Sequence, residues 1–486
     1  MEFHVSLDGP GDLVARIYRS LRDGVRDGRL RPGDRLPPSR ELARTLDVSR
    51  GTVATAYERL TAEGFLEGRV GAGTFVAAGA GTGAAGPAGP AGTAAPPASP
   101  DGGLRPRTDW VAARWSPGPR TAARYDFTVG VPDTRLFPYD TWRRLIAAEW
   151  RHGREPAGYA DPAGHPGLRD AIARYVGYAR SVRAGADDVV VTGGAQQALD
   201  LVARVLLAPG DVVAVEEPGY PPARAAFAAY GARVVGVPVD GDGLVVSRLP
   251  ADARLVYVTP SHQFPLGVAM SLPRRLELLA WAGAHDAGIV EDDYDSEYRF
   301  ADRPLEPLHG LDTGGRVVYV GTFSKTLLPG LRLGFVVVPP GLRRAVRTAR
   351  SLADGHGPVA TEAALARFMD EGLLARHIRR TGKAYGERRS ALLAGLDGAL
   401  APYLEPVPSA AGLHVCALLR SGDGATAEAV AGRARAGGVL VEPLGRYRAE
   451  AGGRGGLVLG YGAVDVADVP AGLDRIAAAF REVTPG

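Results

Sequence analysis

Lysine is nearly absent from this chain. It occurs only at Lys325 and Lys383, in a sequence of 486 residues with 57 Lys+Arg. Nearly every cation is therefore arginine, which is essentially always protonated and forms no imine. A position that needs an amine nucleophile is one place where lysine cannot be exchanged. Cysteine occurs once, at Cys416, which excludes an intramolecular disulfide and fits a reducing, cytoplasmic compartment. No apolar run reaches the length of a membrane span. The N-terminus, Met1-Glu2-Phe3-His4, lacks the basic stretch and apolar core of a secretory signal. Net charge is small as well, +3, too little by itself to imply a polyanionic partner.

What is present breaks the chain in two. At 486 residues it exceeds the usual domain size of roughly 100–200 residues. From Ala77 to Pro100 it reads AAGAGTGAAGPAGPAGTAAPPASP, almost without charge and with nothing to bury. Such a stretch reads as a flexible linker, extending to about Ala122. At ~45 residues its r.m.s. reach is roughly 35–40 Å. The expected organisation is a small domain over 10–77, a linker over 78–122 and a large domain over 123–486. No internal repeat is visible.

The small domain reads as three helices and a hairpin. Leu13, Ile17, Leu21 and Val25 recur every fourth residue and form one apolar helical stripe. Ser39 is placed to cap a short helix from Arg40 to Leu46, and Ser49 to cap another from Arg50 to Glu63, stopped by Gly64. Phe65-Leu66-Glu67 and Thr74-Phe75-Val76 flank a glycine-rich tip. Two short helices followed by a hairpin make a winged helix-turn-helix. Arg40, Arg50 and Arg69 fall on the second helix, the start of the third and the wing tip. Those are places that meet phosphates and groove edges, so the implied partner is a double-stranded DNA operator. The stretch PGDRLPPSRELARTLDVSRGTVATAYERLTAEGFLEGRVGAGTFV resembles the GntR family of bacterial repressors. That resemblance implies DNA contacts at Arg40, Ser49, Arg50, Thr52 and Gly71. Ala54 stands where some members carry a further arginine on the recognition helix.

The large domain alternates β-rich runs with helical stretches. The runs are Val189–Thr192, Val212–Val215, Leu255–Val258, Ile289–Glu291, Val317–Val320 and Leu333–Val338. This predicts an α/β fold with a mostly parallel, helix-covered sheet. Four motifs sit at the ends of these strands, where open α/β sheets bind ligands. Thr192-Gly193-Gly194-Ala195-Gln196-Gln197 opens a helix and lets backbone N–H groups approach an anion. Glu217-Pro218-Gly219-Tyr220 puts a ring on a loop. Glu291-Asp292-Asp293-Tyr294 supplies acids, which by themselves fit a ring-nitrogen partner, a metal or a cap. Thr322-Phe323-Ser324-Lys325 supplies an amine and hydroxyls, with Arg332 seven residues on, suited to bidentate pairing with phosphate. An amine, an acid, a phosphate cradle and a stacking ring are what pyridoxal 5′-phosphate requires.

The order and spacing of these motifs resemble fold-type I aminotransferases from about Tyr125 to Val483. With the DNA-binding domain attached, and with TPSHQFPLG and EDDYDSEYRF in this order, the chain is similar to the MocR/GabR branch of GntR regulators. The resemblance implies that Lys325 forms the Schiff base and that Asp292, or else Asp293, pairs with the pyridine nitrogen. Tyr220 would stack on the ring and Tyr294 would bond the phenolic oxygen. Gly194, Ala195, Gln196, Thr322 and Arg332 would hold the phosphate, Ser324 would be a further cofactor contact, and His262 and Gln263 would lie near the ring. No metal is expected.

The resemblance also implies a homodimer in which ligand state shifts the DNA-binding domains between two arrangements. In one respect the sequence departs from the pattern. The C-terminal motif that often grips a substrate carboxylate with arginine reads Leu457-Val458-Leu459-Gly460-Tyr461, and valine cannot pair with a carboxylate. Arg454 is the nearby arginine able to compensate. Pyridoxal 5′-phosphate itself, as in family regulators of vitamin B6 synthesis, is therefore the expected effector. An amine or amino acid bound through the cofactor is the alternative, and an active aminotransferase with a DNA-binding appendage is the rival.

Overall fold

A computed structural model describes residues 5–8, 10–79, 107–108, 110, 123–151, 158–300, 306–450 and 452–484. The chain separates into two compact units, Met1–Leu104 and Arg105–Gly486. Most of the expected linker, 78–122, lies outside the described residues.

The first unit is built from helices α1 (Leu13–Arg26), α2 (Ser39–Thr45) and α3 (Arg50–Ala62) and strands β1 (Leu66–Arg69) and β2 (Gly73–Val76). Asp12 caps α1 by accepting from the Ala15 N–H at 2.8 Å. Ile17, Leu21 and Val25 turn into the core with Leu36, Val53, Leu60, Leu66 and Val76. Each such side chain contributes roughly 1.5–3 kcal/mol by leaving water. Leu13, expected in the same stripe, is 42% exposed, because the first turn overhangs this core. Ser39, expected as a cap, is itself the first residue of α2; it follows Pro38 and makes no capping bond. Ser49 does cap α3, with Oγ 3.1 Å from the Thr52 N–H. The hairpin pairs Leu66 with Val76 through to Arg69 with Gly73.

In the second unit the strands form an eight-stranded sheet in the order β4-β11-β10-β9-β8-β5-β6-β7. They are β4 (Val189–Thr192), β5 (Val212–Glu217), β6 (Arg233–Asp240), β7 (Gly243–Leu244), β8 (Ala253–Val258), β9 (Gly288–Asp293), β10 (Val317–Thr322) and β11 (Gly334–Val337). Pairing is parallel from β10 through β6, and β11 runs antiparallel between β4 and β10. The sheet is buried on both faces, which is why its strands read as near-continuous apolar runs. Val190, Val213, Leu255, Val290, Val318 and Val336 face one cluster with Leu199 and Phe227. Alternate residues face two others, with Trp142, Phe368 and Leu278. Strand β6 escaped the sequence reading because Gly236, Pro238 and an exposed Arg233 interrupt its valines.

The helices of this unit are α4 (Tyr139–Glu149), α5 (Pro166–Arg180), α6 (Ala195–Leu206), α7 (Pro221–Ala229), α8 (Leu272–Ala284), α9 (Leu308–Leu311), α10 (Arg343–Asp354), α11 (Val359–Asp370), α12 (Leu373–Asp397), α13 (Gly424–Ala436) and α14 (Val469–Val483). A smaller antiparallel sheet holds β12 (Leu404–Pro406), β13 (His414–Asp423), β16 (Arg454–Gly460) and β15 (Glu442–Pro443) in that order. It packs against α12, α13 and α14. A short parallel pair joins β3 (Tyr125–Asp126) to β14 (Val439–Leu440). Among the described residues no helix is long and apolar enough to cross a membrane.

Candidate functional site

Strands β4, β5, β8, β9 and β10 all release their chains at the same edge of the sheet, because they run parallel. That edge gathers the four motifs. Lys325, three residues beyond β10, donates from Nζ to the Gly130 carbonyl at 2.8 Å. A Cβ on Gly130, whose φ is 76°, would lie 3.0 Å from that nitrogen, so the close approach depends on glycine. Lys325 keeps some accessible surface but is densely surrounded. Desolvation lowers its amine pKa, while Asp295 and Asp292 act the other way.

Asp292 is the penultimate residue of β9 and is 3% exposed. Its Oδ2 accepts from the Tyr257 hydroxyl at 2.8 Å, and its Oδ1 has no partner. Burial pushes this carboxyl up to about 7, against the Tyr257 hydrogen bond and the Lys325 charge. Asp293, the alternative, is already engaged by Arg180 at 2.7 Å and the Tyr319 hydroxyl at 2.6 Å. Both acids keep Oδ1 without a partner, but Asp293 is already ion-paired to Arg180, whereas Asp292 has no guanidinium beside it.

The glycine turn after β4 leads directly into α6. Gly194 caps that helix with φ 105° and, having no side chain, makes no capping bond to its first N–H groups. A Cβ on Gly194 would sit 3.4 Å from both terminal nitrogens of Arg332, so the guanidinium packs over the open helix end. Arg332 itself takes φ 53°, a conformation that costs a non-glycine residue energy. Thr322 Oγ1 lies 3.0 Å from Ser324 Oγ and accepts from the Ser324 N–H at 3.2 Å. Gln196 ties this end to α7 through the Pro222 carbonyl at 3.2 Å. Amides, hydroxyls and a guanidinium thus converge where an anion can be held.

Aromatic and polar groups close the site. The ring centroids of Tyr220 and Phe264 are 5.5 Å apart, edge to face, and those of Phe264 and Tyr294 are 5.8 Å apart. The Tyr294 hydroxyl donates to the His262 carbonyl at 2.9 Å and lies 3.0 Å from His262 Nδ1. That nitrogen is 3.1 Å from Asp295, and His262 Nε2 is buried without a partner. His414 packs on His262 at 4.5 Å between centroids and reaches the Pro265 carbonyl at 3.0 Å. His262, Asp295 and His414 bring donor atoms within 4.8 Å of one another. Gln263 braces the loops: its Nε2 reaches the Pro218 and Phe264 carbonyls at 2.9 and 2.7 Å. Behind it, Glu216 accepts from Thr259 Oγ1 at 2.6 Å, keeps Oε1 unpartnered and is pushed by burial up to about 7.

The wall across from these groups is apolar. Val458 is fully buried, pairs with Cys416 across the small sheet, and clusters with Leu444, Tyr447, Phe264 and Leu266. Arg454 does not take the place of a carboxylate-gripping arginine. Its guanidinium bonds Glu405 at 2.6 Å and the Leu419 carbonyl at 2.7 Å, at the opposite end of β16 from the Gly460 end.

In the first unit, Arg40 and Arg50 are exposed and make no ion pair among the described residues. Ser49 and Thr52 join through their hydroxyls at 2.8 Å beside Arg50. Arg69 on the wing pairs with Glu67 at 2.6 Å and lies over the Phe75 ring. Gly71 takes φ 78° at the exposed hairpin tip.

Tyr257, Gly130, Asp295, Glu216 and His414 were not singled out by sequence. Tyr257 sits inside an apolar run and reads as core, and Gly130 and His414 are distant in sequence from every motif. Only Asp295, inside the EDDYDSEYRF stretch, carried a signal.

Residues 127–454 match the family of class I and II aminotransferases, and residues 13–76 match the gntR family of bacterial regulatory proteins. The chain is 40% identical over 477 residues to the "Probable rhizopine catabolism regulatory protein MocR" of Rhizobium meliloti, covering 97% of this chain and 94% of that protein. It is 37% identical to the regulator TauR of Rhodobacter capsulatus, over 99% of each. It is 32% identical to the pyridoxine biosynthesis regulator PdxR of Corynebacterium glutamicum, over 94% of this chain and 93% of that one. Among solved structures, the kynurenine aminotransferase of Pyrococcus horikoshii superposes with a TM-score of 0.69 at 30% identity, covering 74% of this chain and 92% of its own.

Proposed function

Because the chain belongs to the MocR-type GntR transcription regulators, with a helix-turn-helix and an aminotransferase-like domain, we propose that it binds pyridoxal 5′-phosphate at Lys325 and alters operator binding in response. The observation that carries this reading is a single juxtaposition: a desolvated lysine amine beside a buried carboxylate with a free oxygen. When bound, the cofactor supplies an aldehyde that condenses with a primary amine with loss of water. Desolvation favours the neutral amine that this chemistry needs. Asp292 Oδ1 is available to accept from a protonated ring nitrogen. Gly194, Ala195, Gln196, Thr322, Ser324 and Arg332 hold the phosphate, and Tyr220 and Tyr294 bound the ring, with His262 and Gln263 as supports. Arg40, Ser49, Arg50, Thr52, Arg69 and Gly71 meet DNA.

We assign residues 10–77 to DNA binding, 78–122 to the linker and 123–486 to sensing, in a homodimer. The effector is pyridoxal 5′-phosphate itself, since the buried apolar wall around Val458 offers no partner to a carboxylate. The relative named for pyridoxine biosynthesis supports the same choice.

The test is a DNA-binding titration of cofactor-free protein, first with pyridoxal 5′-phosphate alone and then with a panel of amines and amino acids. The expected result is a change in affinity with the cofactor alone. A response only to one amine or amino acid would replace this effector by the alternative. Steady turnover of an amino donor with a 2-oxo acid would make the protein an enzyme. Lys325→Ala should abolish the visible absorbance band and borohydride trapping.

A further inference from the structure

The cations of α12 divide cleanly between its two faces. The helix carries Arg376, Arg379, Arg380, Lys383, Arg388 and Arg389 against two acids, Glu387 and Asp397. Arg388 is buried against Asp133, and Arg389 is drawn to the Ser409 carbonyl. The other four cations are exposed. Their spacing is i, i+3, i+4 and i+7, which places them on one face. His377, Thr381, Tyr385 and Leu392 turn the opposite face into the core. Arg380 rests on the Leu136 carbonyl, and none of the four pairs with an acid among the described residues.

Some helical arginines of this chain pair with an acid four residues away, Arg59 with Glu63, Arg174 with Asp170, Arg204 with Asp200 and Arg367 with Glu371; the four of this stripe do not. The acids before α12 are already engaged, Asp370 by Arg174 and Glu371 by Arg367. Glu387, one turn beyond Lys383, marks the end of the stripe. A solvated face gains from interleaved charges, so an unbroken cationic one fits an anionic partner.

We infer that this face of α12 is a second DNA-phosphate contact, carried by the large unit and separate from the winged helix. From Arg376 to Lys383 the stripe runs about 10 Å along the helix axis. A duplex strand offers a phosphate about every 3.4 Å of its axis, so the stripe can meet two or three. Lysine and arginine serve phosphate contacts alike, and no base edge needs to be read. DNA held by the first unit is within covalent reach, since 44 residues lie between Gly79 and Arg124. Fully extended, that length of chain spans up to about 150 Å. The inference does not depend on the chemistry at Lys325.

The experiment measures full-length protein on a random-sequence duplex of about 60 base pairs, between about 50 and 200 mM salt. One variant changes Arg376, Arg379, Arg380 and Lys383 to glutamine, which keeps helix propensity. A control changes Arg204, Arg233, Arg254 and Arg316 to glutamine, removing the same charge from ion-paired positions. The α12 variant should lose about tenfold or more in affinity at low salt, and its log–log salt slope should fall by about two to four. The control should bind like wild type. A third variant with lysine at the three arginine positions should retain binding, since charge and not fork geometry is required. Equal losses in the α12 variant and the control would reduce the effect to net charge and overturn the proposal, and so would no loss in the α12 variant.

Discussion

The Tyr257 hydroxyl donates to Asp292 Oδ2 at 2.8 Å and leaves Oδ1 of the same carboxylate without a partner. Both residues are buried, on adjacent parallel strands β8 and β9. Tyr257 thereby fixes the plane of the carboxylate and lowers the cost of its charge. Tyr257→Phe should push the Asp292 carboxyl further up. A hydrogen bond to a charged group contributes about 1.5–3 kcal/mol, so cofactor affinity should fall roughly ten- to a hundredfold. Absorbance titration with pyridoxal 5′-phosphate measures this. Unchanged affinity in a folded variant would remove Tyr257 from the site.

Arg50→Ala should weaken operator binding by roughly 1–3 kcal/mol if Arg50 makes a bidentate base contact. Arg50 begins α3 next to the Ser49 cap, exposed and unpaired. Anisotropy on an operator duplex and on a scrambled one separates the cases. A base contact affects the operator alone, whereas a phosphate contact weakens both. No effect on either would exclude Arg50 from the interface.

Val458→Arg should increase amino-acid binding by roughly ten- to a hundredfold, by supplying a charge-assisted partner for a carboxylate. The same change places a cation in the apolar cluster of Cys416, Leu444 and Tyr447, so Tm should drop. Calorimetry with and without an amino acid reads both effects. A stable variant that gains no affinity would mean that position 458 does not face the ligand.

Glu216, Asp292 and Glu297 each keep one oxygen without a partner, and burial pushes each to about 7. In the unfolded chain they titrate near about 4. Between those values the folded protein holds protons that the unfolded chain has released, so stability falls as pH rises from about 4 to about 7. Asp133 behaves oppositely. Burial alone would raise it, but Arg135 and Arg388 hold it low, so its contribution is lost only below this window. Tm of the cofactor-free protein should be higher at about pH 6 than at about pH 8, and Asp292→Asn should flatten the trend. A Tm that climbs across the window would contradict these burials.

The fold was legible wherever periodicity was strong. All six expected strands of the large sheet are present, because burial on both faces leaves little but valine, isoleucine and leucine to write them. Helix α3 was legible from its cap. Ser39 misled because Pro38 already sets the backbone for the first turn, and Leu13 because a stripe does not reveal where its core ends. Lys325, Asp292 and Arg332 were marked by motif and rarity. The partners that orient them were not: Tyr257 has the sequence signature of core, and Gly130 approaches Lys325 from 195 residues away.

Lys325 and Arg332 lie on one connection, residues 323–333, between paired strands β10 and β11, which Thr322 and Gly334 pin together. At its far end Gly334 permits Gly194 so near that a Cβ would lie 2.7 Å from the Gly194 Cα. Amine and guanidinium therefore stand at two marks of a ruler whose length the sheet sets. A ligand that offers a carbonyl at one mark and an anion at the other must match that length. If pyridoxal 5′-phosphate is that ligand, pyridoxal without its phosphate would reach only the first mark. An insertion in 323–333 would recalibrate the ruler while leaving every named side chain in the sequence.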